Sequence, residues 1–389
     1  MWASSVVNAT AIDARGTDAQ GTDVETDLVH MRAAVALARR GLGRTWPNPT
    51  VGCVLVNEGK VVGRGWTQAG GRPHAETEAL QRAGAAAAGS TAYVSLEPCS
   101  HHGQTPPCAE ALVAAGIKRA VVAMEDPDPR VSGRGLDLLR DAGIEVSLGV
   151  GAAEALEINA GFLLRLEKNR PLITLKLAMT LDGRIATHNG ESRWITGEPA
   201  RQRSHLLRAQ HDGVMVGSGT VLADDPLLNV RLPGLERDSP LRIVLDGRMR
   251  LPLTSALVVS ARDTPTWLVT LPGGDKRRRQ TYVDCGLEVI EAAPGADGAL
   301  DLVQVMARLA KHGLTRLLVE GGAKLAAALL RDNLVDRLAI FRAPNLIGGD
   351  GLPAATGFGL QRLADMPGFV ALESMELGQD RLETYRRAP

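Results

Sequence analysis

Short, almost wholly apolar runs recur along this chain, alternating with segments of helical spacing, and that alternation restricts it to layered α/β architecture. Leu172-Ile173-Thr174-Leu175-Lys176-Leu177, Val214-Met215-Val216, residues 241–245, Trp267-Leu268-Val269 and Leu317-Leu318-Val319 are too short for helices. They suit strands covered on both faces. Helical periods occupy 302–310 and 324–330 between or after them. The chain has 389 residues, and at roughly 150 residues per domain two domains are expected.

The first half repeats the pattern. A helix is expected over 31–38, closed near Gly41 and Gly43. Strands follow over 51–56 and 60–66, joined by Asn57-Glu58-Gly59 as a hairpin turn. A helix after His74, a strand over 91–96 and a helix after Pro107 come next. A strand at 119–123, a helix at 135–141 and a strand at 145–148 complete the unit. Residues 1–26 show no hydrophobic period and read as a disordered extension. The expected organisation is an extension over 1–26, a domain over 27–150, a linker helix within 151–170 and a second domain over 171–389. Arg170-Pro171 marks the boundary.

Composition excludes several classes of function. Lys plus Arg and Asp plus Glu each total 44, so the formal net charge is zero. Neither half is strongly basic, which argues against a nucleic-acid partner. Aromatics make up 3%, leaving few rings for stacking unpaired bases. No run of 18 apolar residues exists, so no membrane span is expected. Four cysteines are too few for a secreted disulfide framework, and no signal peptide is readable. The expected location is the cytoplasm.

The strongest local chemistry lies in His74-Ala75-Glu76, Pro98-Cys99 and Pro107-Cys108. One imidazole and two thiolates suit tetrahedral zinc, with the fourth position left for water. Each cysteine is expected where a strand ends and a helix begins, with the helix start lowering the thiol pKa. Glu76, two residues from His74, can face the metal without ligating it and carry protons, as in zinc deaminases. A structural zinc would want a fourth protein ligand, and no other Cys or His has comparable spacing. Cys53, in an apolar strand, and Cys285 are expected to be packing residues. His101 and His102 suit either a substrate contact or a loop cap. In the second half, Val319-Glu320-Gly321-Gly322-Ala323-Lys324-Leu325 and Gly217-Ser218-Gly219-Thr220 each place small residues between a strand and a helix. Either loop is a tight turn or a phosphate cradle. A nucleic-acid or free-base zinc deaminase with a non-catalytic nucleotide-binding second domain is the alternative reading.

Eight residues separate Cys99 from Cys108, unlike the Cys-x-x-Cys of common cytidine and adenosine deaminases. Glu97-Pro98-Cys99-Ser100-His101-His102-Gly103-Gln104-Thr105-Pro106-Pro107-Cys108, with Pro47-Asn48-Pro49-Thr50-Val51-Gly52 before it, closely resembles the bifunctional riboflavin-biosynthesis deaminase/reductase family. The resemblance runs from about residue 27 to the C-terminus. It implies a cytidine deaminase-like three-layer domain followed by a dihydrofolate reductase-like domain, using Zn2+ and NADPH on a small pyrimidine ribose-phosphate. A homo-oligomer is also expected.

The resemblance also implies particular roles. Asn48 would hold the pyrimidine, although it suits a turn between two prolines equally well. Lys176-Leu177-Ala178-Met179-Thr180-Leu181-Asp182-Gly183-Arg184, Glu191-Ser192-Arg193-Trp194-Ile195-Thr196 and Val221-Leu222-Ala223-Asp224-Asp225-Pro226 match segments of the reductase half. By that likeness Met179, Trp194, Thr220, Asp224, Gly247 and the loop Gly322, Ala323, Lys324, Leu325, Ala326, Ala327 and Ala328 would bind NADPH. Lys176, Ser192, Arg208, Leu227, Arg231 and Glu320 would bind substrate. From the residues alone, Trp194 also suits a core, Arg208 a solvated helix face, and Asp224 and Asp225 a turn cap. Gln104 stands where the resemblance implies a basic residue, and Met179 where some relatives are small, which implies a backbone contact there.

Overall fold

The computed structural model describes residues 24–102, 106–128 and 131–388. The chain divides after Leu166 into two compact units. In chain order the first contains α1 (Val24–Ala38), β1 (Gly52–Asn57), β2 (Lys60–Trp66), α2 (Ala75–Ala83), β3 (Thr91–Val94), α3 (Cys108–Ala114), β4 (Arg119–Val122), α4 (Arg134–Asp141) and β5 (Glu145–Leu148). Helix α5 (Ala152–Lys168) follows, inside the 151–170 span expected for a linker helix.

The five strands form one sheet in the order β2-β1-β3-β4-β5. The β1 pairings are antiparallel, whereas β3, β4 and β5 run parallel. Two glycines show why helices lie on both faces. A Cβ on Gly52 would stand 1.8 Å from the Ala34 carbonyl oxygen of α1, and one on Gly65 would stand 2.0 Å from the Ala75 carbonyl oxygen of α2. Gly65 pairs with Cys53, the neighbour of Gly52. Successive residues point to opposite faces, so α1 and α2 sandwich the sheet in three layers. Cys53 is fully buried between them.

Two local expectations need correction. Residues 24–26, assigned to the extension, form the first turn of α1. The buried Asp27 carboxylate accepts both Arg119 guanidinium nitrogens at 2.8 Å and the Tyr93 hydroxyl at 2.9 Å. That polar anchor starts the helix before any hydrophobic period is visible; residues 1–23 lie outside the described residues. The strand expected over 91–96 stops at Val94; beyond it the Glu97 N–H still donates to the Met124 carbonyl, just past β4, at 2.9 Å.

The second unit contains β6 (Leu172–Met179), β7 (Arg184–Ala186), α6 (Glu198–Ala209), β8 (Gly213–Gly217), α7 (Ser218–Asp224), β9 (Leu241–Leu245), α8 (Ala256–Val259), β10 (Thr266–Thr270), α9 (Lys276–Asp284) and β11 (Glu288–Glu291). It continues with α10 (Leu302–Lys311), β12 (Arg316–Val319), α11 (Ala323–Arg331), β13 (Arg337–Arg342), β14 (Leu352–Pro353), β15 (Phe369–Leu377) and β16 (Asp380–Arg387). Nine strands form a sheet in the order β11-β10-β9-β8-β12-β6-β13-β16-β15, and β7 pairs with β14 apart from it. From β11 to β13 every pairing is parallel, and β16 and β15 close the sheet antiparallel. The short apolar runs are its buried central strands, as expected.

One central side chain is a charge. Arg242 on β9 is 1% exposed and forms no ion pair with a carboxylate among the described residues, Asp263 acting on it only at longer range. Its guanidinium donates to Thr266 Oγ1, Ser260 Oγ and the carbonyls of Leu227, Leu257, Ser260 and Thr264, at 2.7 to 3.3 Å. Buried charge is tolerable only when its donors are occupied, and here they bind β9 to β10, to α8 and to the Leu227 loop.

Candidate metal centre and cofactor cleft

In the first unit His74 is the residue before α2, and Cys108 is the first residue of α3. Cys99 departs from expectation: it lies in the loop after β3, and no helix begins at it. The loop folds back instead. The Ala109 N–H donates to the Cys99 carbonyl at 3.2 Å and the Cys108 N–H to Cys99 Sγ at 3.3 Å. His74 Nδ1 then stands 3.6 Å from Cys99 Sγ and 3.3 Å from Cys108 Sγ. Tetrahedral zinc, with Zn–S of about 2.3 Å and Zn–N of about 2.0 Å, would put nitrogen and sulfur roughly 3.5 Å apart. The three ligand atoms fit that ion, through Nδ1 of the imidazole, and form the one such cluster among the described residues.

The electrostatics agree with the geometry. Hydrogen bonding from the Cys108 thiol, then from His74 and the Cys108 amide, holds the Cys99 thiol down to about 4. The same thiol hydrogen bond to Cys99, with burial, pushes the Cys108 thiol up, so taking a metal must expel its proton. Glu76, 3% exposed in α2, is driven by burial up to about 7, against the pull of His74. A carboxyl with that value can hold and release a proton near neutrality. Asn48 is brought near the same edge: a Cβ on Gly71, shortly before His74, would strike its Nδ2 at 2.0 Å. His101 and His102 are exposed, and His102 Nε2 lies 3.5 Å from Glu110. Gln104 lies outside the described residues.

Sequence reasoning missed Glu97. Its buried carboxylate accepts the N–H groups of Asp126 and Gly133 at 3.0 Å and of Gly135 at 2.8 Å. A Cβ on Gly135 would also meet the Pro98 carbonyl oxygen at 2.1 Å. The chain just before Cys99 is thereby fixed against the start of α4. A glutamate beside proline carries no periodic signal that marks such a role.

The second unit holds a cleft of about 1600 Å³ along the carboxyl ends of the parallel strands. Its lining includes Lys176, Ser192, Trp194, Arg208, Leu227, Arg231 and Glu320, together with Thr220, Asp224, Gly247, Gly322, Ala323, Lys324, Leu325 and Ala328. Three expected residues are not in it. Ala326 and Ala327 are 0% and 4% exposed on the core face of α11: at about 100° per residue, not every position in a helical turn faces one side. Met179 ends β6 beside Arg342 of β13 and is not in the lining either.

The open alternatives resolve differently. Trp194 is 67% exposed, with the Arg201 guanidinium 4.7 Å over its ring, so it is no core residue. Asp225, in left-handed backbone, caps α7 and accepts the Ala256 N–H at 2.8 Å. The two small-residue loops meet where the Gly322 N–H donates to Thr220 Oγ1 at 3.1 Å. Arg208 is not a solvated helix position. Its Nε and Nη2 donate to the Glu320 carboxylate at 2.5 and 3.0 Å, and Lys176 Nζ stands 3.5 Å away. Although burial opposes ionisation of Glu320, these two cations hold its carboxyl down at about 2. Asn229 gathers the neighbourhood, its carbonyl accepting Arg208 Nη1 at 2.9 Å and its side-chain oxygen Arg231 Nη1 at 2.9 Å.

A histidine–dithiolate cluster with a buried glutamate in one unit, and an elongated cleft over parallel strands in the other, define a zinc deaminase joined to a nucleotide-dependent reductase. Residues 24–124 match the cytidine and deoxycytidylate deaminase zinc-binding region, and residues 171–381 the RibD C-terminal domain. The riboflavin biosynthesis protein RibD of Escherichia coli is 44% identical over 91% of this chain and 97% of its own length, and that of Aquifex aeolicus 40% over 93% and 99%. The solved Acinetobacter baumannii RibD superposes with a TM-score of 0.84 at 39% identity, covering 94% of this chain and 100% of that one. A Thermotoga maritima structure described as a diaminohydroxyphosphoribosylaminopyrimidine deaminase/5-amino-6-(5-phosphoribosylamino)uracil reductase gives 0.82 at 31%, with the same coverage. The chain belongs to the RibD family of bifunctional riboflavin-biosynthesis deaminase/reductases. Its fold is a cytidine deaminase-like domain followed by a dihydrofolate reductase-like domain, and its cofactors are zinc and NADPH. Its substrate is a small molecule, and no helix among the described residues is long and apolar enough to cross a membrane.

Proposed function

We propose that the first unit hydrolytically removes the 2-amino group of 2,5-diamino-6-ribosylamino-4(3H)-pyrimidinone 5′-phosphate. The second unit then reduces the ribosyl chain of the product to ribityl, giving 5-amino-6-ribitylaminouracil 5′-phosphate. The observation that carries this reading is the near-tetrahedral spacing of His74, Cys99 and Cys108 beside buried Glu76, in one chain with the reductase cleft.

Zinc held by His74, Cys99 and Cys108 supplies a Lewis acid that makes water nucleophilic near neutral pH. Glu76 accepts a proton from the attacking water and passes it to the ring nitrogen; it then takes the remaining proton of the added hydroxyl and delivers it to the amino group, which leaves as ammonia as the carbonyl forms. Its value of about 7 suits both directions. Asn48 offers the pyrimidine a donor and an acceptor on one amide.

In the cleft, NADPH supplies the reducing equivalent. The start of α11, beside the Gly322–Thr220 junction, offers N–H groups to its phosphates, with Trp194, Asp224 and Gly247 along its length. Glu320, ionised and clamped by Arg208 and Lys176, accepts hydroxyl hydrogens of the sugar, and Ser192 and Leu227 border it. Arg231, held only through Asn229, presents its remaining donors to the substrate phosphate.

The protein works in the cytoplasm, on no nucleic acid, as a homo-oligomer. The open sheet edge at β15, with Val370 and Leu372 exposed, supports self-association, and light scattering after gel filtration tests it. The decisive experiment supplies the diaminopyrimidine substrate with and without NADPH. Ammonia release should not need NADPH, and NADPH oxidation should follow only on the deaminated product. No ammonia release from zinc-loaded protein would refute the reading.

A further inference from the structure

We propose that Arg248 and Arg250, in the turn after β9, read the 2′-phosphate of the dinucleotide and so set the preference for NADPH over NADH. The inference rests on the cofactor reading above. Both side chains are exposed and line the cleft, on either side of buried Met249. Arg250 Nη2 donates to Ser218 Oγ at 2.9 Å, which turns its guanidinium toward the small-residue loop after β8. Arg248 forms no hydrogen bond or ion pair among the described residues, so its five donors are uncommitted.

Sheet order supplies the distance. Lys176 lies in β6 and Glu320 follows β12, while the arginines follow β9, and the order β6-β12-β8-β9 makes three steps. At about 4.8 Å per strand that is roughly 14 Å, the reach of an extended dinucleotide from its reacting ring to its adenosine ribose. The adenosine end of the cofactor then lies over β9, between Gly247 and Leu271 of the same cleft.

An acid at the end of a strand would ordinarily argue for a free ribose 2′-hydroxyl, as in NAD sites. Asp246 occupies such a position but cannot serve. It is 1% exposed, one carboxylate oxygen accepts the Leu251 N–H at 2.8 Å, and the other lies 3.8 Å from Arg250 Nε with no hydrogen-bond partner. Arg250 covers the carboxylate, so the dinucleotide meets two guanidinium groups at this point. Planar paired donors match a phosphate monoester.

The test titrates the full-length protein with 2′,5′-ADP and with 5′-ADP by calorimetry, and measures kcat/KM for NADPH and NADH with the deaminated substrate. Arg250→Ala and Arg248→Ala should each lower the 2′,5′-ADP to 5′-ADP affinity ratio at least fivefold, and the double variant more than twentyfold. The NADPH to NADH ratio should fall in parallel, and Arg250→Lys should recover part of it. Both residues are exposed, and unchanged thermal unfolding would establish that the variants fold. Variants that keep the wild-type ratios would overturn the proposal, as would variants that lose both probes equally. Failure of the wild type to bind NADPH at all would instead sink the cofactor reading.

Discussion

The clamp on Glu320 makes a quantitative demand on stability. Replacing Glu320 by Gln keeps the shape and removes the charge, leaving the buried Arg208 guanidinium against a neutral amide and the Asn229 carbonyl. Arg208 and Lys176 carry the Glu320 carboxyl from 4.5 to about 2 in the folded chain. At about 1.4 kcal/mol per pH unit that is worth roughly 3 kcal/mol, in keeping with the ~3–5 kcal/mol cost of breaking a buried pair. The Glu320 side chain is only 8% exposed, so solvent screening takes little from it. The folded value lies below the unfolded one. The stabilisation is therefore complete above about pH 4.5 and lost as pH falls toward 2. Urea unfolding followed by circular dichroism should show Glu320→Gln destabilised by about 3 kcal/mol at pH 7. That deficit should shrink to about 2 kcal/mol at pH 3.5. A variant as stable as wild type at pH 7, or a deficit that does not narrow at pH 3.5, would refute the clamp.

Three further outcomes follow from the first unit. Glu76→Gln should keep zinc, measured by atomic absorption, and lose ammonia release at least about a hundredfold; retained release would remove Glu76 from the proton path. Cys108→Ser should lose most of its zinc while NADPH oxidation on supplied deaminated substrate continues, and a chelator should reproduce that split in the unmutated protein. Gly135→Ala forces a Cβ within 2.1 Å of the Pro98 carbonyl, so it should cost about 1–3 kcal/mol and lower zinc occupancy by shifting Cys99. An unchanged melting temperature would mean that the loop yields freely.

The candidate zinc cluster was legible in the sequence because three residues of two rare types, one histidine and two cysteines, stood in order. The parallel strands were legible because burial on both faces leaves nothing but apolar residues. What escaped was whatever depends on pairing across the chain. Arg208 and Glu320 are 112 positions apart, and neither position announces the other. Glu97 acts through backbone groups and Arg242 mostly so, and no residue pattern records such contacts. Asp27 began a helix ahead of its hydrophobic period through contacts with Tyr93 and Arg119. Ala326 and Ala327 were assigned to the cofactor as part of a continuous loop, whereas a helix can show the cleft only part of each turn.

Arg242 has a consequence for motion. Its six tethers make the middle of β9 a rigid floor, and the amides there should be among the slowest in the second unit to exchange with deuterium. Only three residues separate Arg242 from Asp246, where the turn bearing the two exposed arginines begins. The transition from immobile strand to adaptable rim is therefore abrupt. Adjustment to a bound dinucleotide is confined to the rim, because the floor beneath it has no slack to share.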